Sequence, residues 1–202
     1  MQCTLLPACE YRRERWRNGR GWTREILRGG GPEWSWRCSV AEVDQDGPFS
    51  RFEGFRRLCV LLQGEGLSLS LPDRPTIELA PPHGRAELPG DAEIEARLRD
   101  GPCRLLNLLY APTRCEASVL HRPLVGPMVF FPEPGVRWLV HVLAGEVLRA
   151  AKGPPLARAG DSLLLAGTDP TASRHLLLGA GELLLFRIRQ LSTPNSAADA
   201  AP

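Results

Sequence analysis

The sequence predicts an all-β protein made of two jelly-roll barrels packed side by side. Two observations carry this. Twenty glycines and nineteen prolines are scattered between short apolar runs, and few segments hold a helical period. An internal repeat then aligns Arg56–Glu65 with Arg137–Glu146. Each copy is an apolar strand ending in Gly-Glu, and each is followed by Gly-Asp, at Gly90-Asp91 and Gly160-Asp161. Glycine allows the positive φ that tight turns between strands demand. At 202 residues the chain can bury a substantial core as one large unit or two small ones.

The elements follow in order. Predicted strands of the first half are Thr23–Arg28, Trp36–Val43, Arg57–Gln63, Gly66–Leu71, Thr76–Leu79 and Arg104–Tyr110. Those of the second are Ala117–Leu120, Met128–Phe131, Arg137–Ala144, Val147–Ala150, Ser162–Ala166, Arg174–Leu178 and Gly181–Arg189. Asp91–Asp100 reads as loop and strand. The halves divide as 1–112, with the ligand pocket, and 113–191. Residues 192–202 form a small, polar, Pro/Ala-rich tail expected to be disordered.

Bulk properties exclude several function classes. A net charge of +2 gives no strong field for nucleic acid or membrane, and no helix-turn-helix pattern is visible. The arginine-rich run Tyr11–Arg20 is interrupted by Glu14 and reads as a solvated or pocket-edge segment. No apolar run reaches membrane-span length, and no leader is apparent at the N-terminus. Cys3, Cys9, Cys38, Cys59, Cys103 and Cys115 form no C-x-x-C pair and no metal-type spacing. They read as small buried hydrophobes of a reducing, cytoplasmic protein. There is no G-x-S-x-G elbow, and Gly29-Gly30-Gly31-Pro32 is a turn rather than a phosphate loop.

The unusual residues lie early. Trp16-Arg17-Asn18-Gly19-Arg20-Gly21-Trp22-Thr23-Arg24-Glu25, then Trp36–Val43, then Asp46-Gly47-Pro48-Phe49-Ser50-Arg51-Phe52 mix polar, aromatic and glycine residues beyond the needs of a plain core. On Trp36–Val43, a period of two puts Arg37, Ser39, Ala41 and Val43 on one face and Trp36, Cys38, Val40 and Glu42 on the other. Arg37 with Ser39 can clamp a carboxylate, the guanidinium offering a two-pronged donor; alternatively Arg37 pairs with Glu25 or Asp91. Asn18 and Thr23 either bond a ligand or cap the turn at Gly19–Gly21. Phe49 and Phe52 can wall a cavity that Ser50 reaches. Asn107, in an apolar strand, requires a partner, either ligand or loop. Asp91 either reaches the ligand or caps the turn after Gly90.

These blocks resemble the HutD/Ves family of cupin-fold proteins. The resemblance rests on Asn18, Gly19, Gly21, Thr23 and Glu25; Trp36, Arg37, Ser39, Ala41 and Val43; Asp46-Gly47-Pro48-Phe49-Ser50 and Phe52; Gly64-Glu65-Gly66, Gly90-Asp91, Asp100-Gly101 and Asn107. Arg17 and Arg20 stand where the family often has Lys and Gly. The resemblance runs roughly from Tyr11 to Arg189 and is most specific in the first half. It implies a bicupin and a regulatory, ligand-binding protein associated with histidine utilisation. Its expected ligand is a small carboxylate such as urocanate or a formyl- or formimino-glutamate. The expected ligand contacts are Asn18, Thr23, Glu25, Arg37, Ser39, Phe49, Ser50, Asp91 and Asn107.

A metal cupin needs two histidines two residues apart, a nearby Glu and a third His. Here His141 is followed by Val142-Leu143, the aligned first-half strand has Val60-Leu61-Leu62, and His83, His121 and His175 stand in separate contexts. The expectation is therefore no metal, no cofactor and no catalytic set. Rival readings are a metal-free isomerase or hydrolase using Glu25, Glu42 or Asp91 as acid or base, or a protein that binds a partner protein. A homodimer through an edge strand is compatible with the fold.

Overall fold

The computed structural model describes residues 2–16, 19–150, 153–167 and 174–191. The strands of the first half are β2 (Arg12–Arg15), β3 (Gly21–Gly29), β4 (Trp36–Val43), β5 (Gly47–Pro48), β6 (Arg56–Gln63), β7 (Leu67–Ser70), β8 (Ile77–Leu79), β9 (Arg85–Pro89), β10 (Glu95–Leu98) and β11 (Cys103–Tyr110). They follow β1 (Gln2–Leu6). The second half adds β12 (Cys115–Val125), β13 (Met128–Phe130), β14 (Val136–Leu148), β15 (Pro155–Arg158), β16 (Ser162–Ala166) and β17 (His175–Gln190).

A six-stranded sheet in the order β2-β3-β4-β11-β6-β9 faces a four-stranded sheet, β5-β10-β7-β8, to make the first barrel. The second is a seven-stranded sheet built on β1-β16-β14-β17-β12, with β15 on β14 and β13 on β17. A boundary at residue 112 assigns β1 to the first half, but β1 pairs with β16 of the second, from Gln2 opposite Ala166 to Leu6 opposite Ser162.

Three apolar layers result. Val43, Phe49, Leu61, Leu67 and Leu105 fill the first barrel. Phe130, Val140, Val142, Leu163 and Leu183 fill the second. Between the barrels lie Cys38, Val40, Leu58, Leu106, Leu108, Leu139, Leu184 and Phe186. Strands β4 and β11 thus bury both faces, which is why Leu105–Leu109 is almost continuously apolar.

Strand boundaries show where the sequence pattern misleads. Trp36–Val43 and Ser162–Ala166 match expectation. The breaks expected near Gly145 and Gly179 do not occur: β14 and β17 run through them, with Gly145 facing Gly181. Gly145 has φ +76°, and a Cβ there would collide with the Ala180 carbonyl. The glycine bends a continuing ladder rather than ending it, next to a bulge between Val142 and Ala144. The unexpected strands β1, β2, β5, β9 and β15 lie at sheet margins, and Pro89 and Pro155 disguise the last two. The 192–202 tail lies outside the described residues. Among the described residues, no helix is long and apolar enough to cross a membrane.

Candidate functional site

Register builds the site. Across the six-stranded sheet, Leu109 of β11 lies opposite Arg37 of β4 on one side and Arg57 of β6 on the other. The next inward-facing row sets Asn107 between Ser39 and Cys59, and the next sets Leu105 between Ala41 and Leu61. Two arginines therefore stand two strands apart, roughly 10 Å between backbones, with an amide and a hydroxyl just deeper. The Asp46–Phe52 segment closes over them. It is held by Leu98 N–H donating to Asp46 Oδ1 at 2.8 Å, Phe49 N–H to Ile94 O at 2.9 Å, and Phe52 N–H to Gly90 O at 2.7 Å. Gly90 permits this closure, because a Cβ there would press on the carbonyls of Phe52 and Phe55. The enclosed cavity is about 90 Å³. Trp16, Thr23 and Phe49 join the arginines in lining it, and Trp16 Nε1–H donates to Thr23 Oγ1 at 2.9 Å.

The electrostatics are unbalanced. Arg57 is buried, donates through Nη2 to the Ser50 carbonyl at 2.8 Å, and lies 5.0 Å from the Phe49 ring and 5.7 Å from that of Phe52. Burial pushes its guanidinium down to about 10, so it stays charged at neutral pH. Arg37 lies 5.3 Å from Trp34 and 5.2 Å from Phe52. Burial lowers its pKa too, with Glu25 and Glu14 opposing. Among the described residues, neither arginine has a carboxylate within ion-pair distance. Arg37 Nε, Arg57 Nε and Asn107 Oδ1 are buried without a hydrogen-bond partner. The Nε–H donor of each guanidinium and one amide acceptor are therefore left unmet around one small cavity.

Of the expected contacts, the fold brings Thr23, Arg37, Ser39, Phe49, Ser50 and Asn107 to this cavity. Ser50 sits at its exposed mouth, and its backbone carbonyl does the bonding. Asn18 lies outside the described residues. Glu25 is not on the wall; it pairs with Arg28 at 3.2 Å. Asp91 is exposed and away from the cavity, while its neighbour Gly90 secures the covering loop. Sequence reasoning missed Trp16, Leu109 and above all Arg57. The signal was present: Arg57, Cys59 and Leu61 share a face by the same alternation that singled out Arg37.

Glu42 faces the other way, into the inter-barrel layer. It is buried, accepts from Arg13 Nη2 at 2.7 Å, and has Arg24 Nε at 2.7 Å in a charge contact too misaligned to count as a hydrogen bond. Burial would raise its pKa, but the Arg13 hydrogen bond and the charges of Arg24, Arg13 and Arg104 bring it below the ordinary value. That environment suits a fixed anion, not an acid–base catalyst. His141 also faces this layer. Its Nδ1 lies 3.0 Å from Ser162 Oγ, which lies 2.8 Å from the Tyr11 hydroxyl. Burial pushes His141 down to about 4, so it is neutral at pH 7.

The metal chemistry of cupins does not fit either barrel interior. The first presents two guanidinium groups, which repel a cation. The second is lined by Val140, Val142, Leu163, Leu165, Leu183 and Leu185. Cys59, beside Asn107, is fully buried, which drives its thiol up to about 11 and leaves it a poor nucleophile.

Two packed β-barrels, one with a polar interior pocket and one filled with aliphatic side chains, define a bicupin with a single furnished barrel. The HutD family model matches residues 8–185, and the chain belongs to that family. HutD from Pseudomonas fluorescens SBW25 superimposes with a TM-score of 0.79 at 30% identity, covering 95% of this chain and 100% of that one. An uncharacterised 21.2 kDa protein of the hutC 3′ region of Pseudomonas putida is 38% identical over 58% of this chain and 63% of its own length. Protein Ves of Citrobacter koseri is 35% identical over 52% of this chain and 56% of its own. The matched region thus spans about three-fifths of these curated relatives. The nickel-bound pirin YhhW of Escherichia coli, at 11% identity and TM-score 0.65, shares the fold.

Proposed function

We propose that the chain binds a small carboxylate metabolite in the first barrel and serves histidine utilisation as a regulatory binding protein. The carrying observation is the pair Arg37 and Arg57, both desolvated and without a carboxylate partner beside the unpaired Asn107 Oδ1. A ligand carboxylate neutralises the guanidinium groups through charge-assisted bonds. A ligand N–H satisfies Asn107. Urocanate and the formyl- and formimino-glutamates each carry both groups. The names of the relatives support the setting: one lies in a hutC region, and one is HutD itself, described in a formate condition.

Binding is favoured over catalysis because Glu42 is on the opposite face and Asp91 is outside the cavity. The test is isothermal calorimetry with urocanate, N-formylglutamate and formiminoglutamate, using formate as the minimal carboxylate. Saturable binding by one of them, lost in Arg37→Ala, is expected. Turnover of a ligand, or equal binding by the Arg37→Ala variant, overturns the reading.

A further inference from the structure

Histidines that stand in separate sequence contexts meet where the two barrels join. His83 lies in the turn between β8 and β9, His121 on β12 and Glu182 on β17. His121 is opposite Leu184, and Glu182 is opposite Pro123, which makes His121 and Glu182 diagonal neighbours across the ladder. The imidazoles of His83 and His121 are 4.9 Å apart, edge to face. His121 Nε2 lies 3.2 Å and His83 Nε2 3.7 Å from the same oxygen, Glu182 Oε2. One ligand atom from each of the three residues falls within 4.8 Å of the others.

The hydrogen bonding gives this cluster a direction. His83 Nδ1 is 3.1 Å from the Leu61 carbonyl, which only accepts. Nδ1 therefore carries the proton, and in the neutral ring Nε2 carries the lone pair. That lone pair faces a carboxylate oxygen, acceptor against acceptor. A cation resolves the conflict, either a proton that turns the contact into an imidazolium–carboxylate ion pair or a metal ion held between the two ligand atoms. A backbone carbonyl holding the far nitrogen is also the usual support of a metal-ligating histidine. His83 keeps its pose at φ +57°, an uncommon conformation for a residue with a Cβ.

We propose that His83, His121 and Glu182 form a site for a divalent transition cation of the zinc class. Two imidazoles and a carboxylate suit Zn²⁺, Co²⁺ or Ni²⁺ rather than Ca²⁺ or Mg²⁺. His121 and Glu182 are 40% and 50% exposed, so water completes the coordination. His83 belongs to the first barrel and the other two to the second, and the bound ion ties the barrels together. The site is separate from the pocket of Arg37 and Arg57.

The experiment titrates chelator-stripped full-length protein with Zn²⁺ by calorimetry and with Co²⁺ by visible absorption, alongside thermal melting. One equivalent is expected, with a higher melting midpoint. His121→Ala and Glu182→Gln, both at exposed positions, each weaken binding at least about tenfold and remove the thermal gain. Cys9→Ser, at an exposed thiol, and Arg37→Ala retain it. Absence of binding overturns the proposal, as does binding that His121→Ala and Glu182→Gln both preserve. So does loss of binding in Cys9→Ser.

Discussion

Replacing Arg57 with Met separates an anion site from a structural post. Arg57 is 7% exposed, and its lowered pKa corresponds to about 3 kcal/mol held against its charged form in the empty fold. Offsetting this are one hydrogen bond to Ser50 O, worth about 1 kcal/mol, and two ring contacts worth about 0.5–1 kcal/mol together. Met fills similar volume without the charge. Arg57→Met is therefore expected to stabilise the ligand-free protein by about 1 kcal/mol, or about 2–4 °C in a chain this long. The same variant should lose its thermal response to the carboxylate ligand, because the desolvated cation that the ligand neutralises is gone. Denaturant unfolding without ligand and thermal melting with it read both effects. A loss of more than about 2 kcal/mol in the empty protein refutes the reasoning. Arg57 would then be holding the Asp46–Phe52 loop in place rather than waiting for an anion.

Acid stability should depend on His141. Its folded pKa lies near 4, while the unfolded chain titrates near 6.5, so the unfolded state binds the extra proton between these values. Stability from the neutral buried ring is complete above pH 6.5 and lost as pH falls towards 4, up to about 3 kcal/mol. His141→Asn, which can keep the bond to Ser162, should flatten the wild-type slope of unfolding free energy over that range. An unchanged slope contradicts the assignment. Gly145→Ala combines positive φ with a collision at the Ala180 carbonyl. It should cost about 2–4 kcal/mol by denaturant midpoint, and a neutral result would mean that β14 and β17 can separate there.

The alternation of Trp36–Val43 made one face of β4 legible, and with it Arg37 and Ser39. Asn107 was legible because an amide in Leu105–Leu109 has to be satisfied. The same alternation, carried to Glu42, already placed it on the opposite face. Arg57 was harder, because its importance comes from standing across Leu109 from Arg37, a register that no local pattern states. Asp91 illustrates the converse: its motif matters through Gly90, whose close backbone approach secures the pocket cover. Gly145 and Gly179 looked like strand ends, since a glycine that bends a ladder and one that stops it have the same sequence signal. The meeting of His83 and His121 follows from the packing of two barrels and has no local trace.

The measurement closest to the central claim is calorimetric titration of the wild-type protein with urocanate, N-formylglutamate and formiminoglutamate, repeated on Arg37→Ala and Arg57→Met. One carboxylate should bind saturably to the wild type, and each substitution should weaken it by about 10- to 100-fold through loss of a charge-assisted bond. Binding of equal strength in both variants would place the ligand elsewhere and contradict the account.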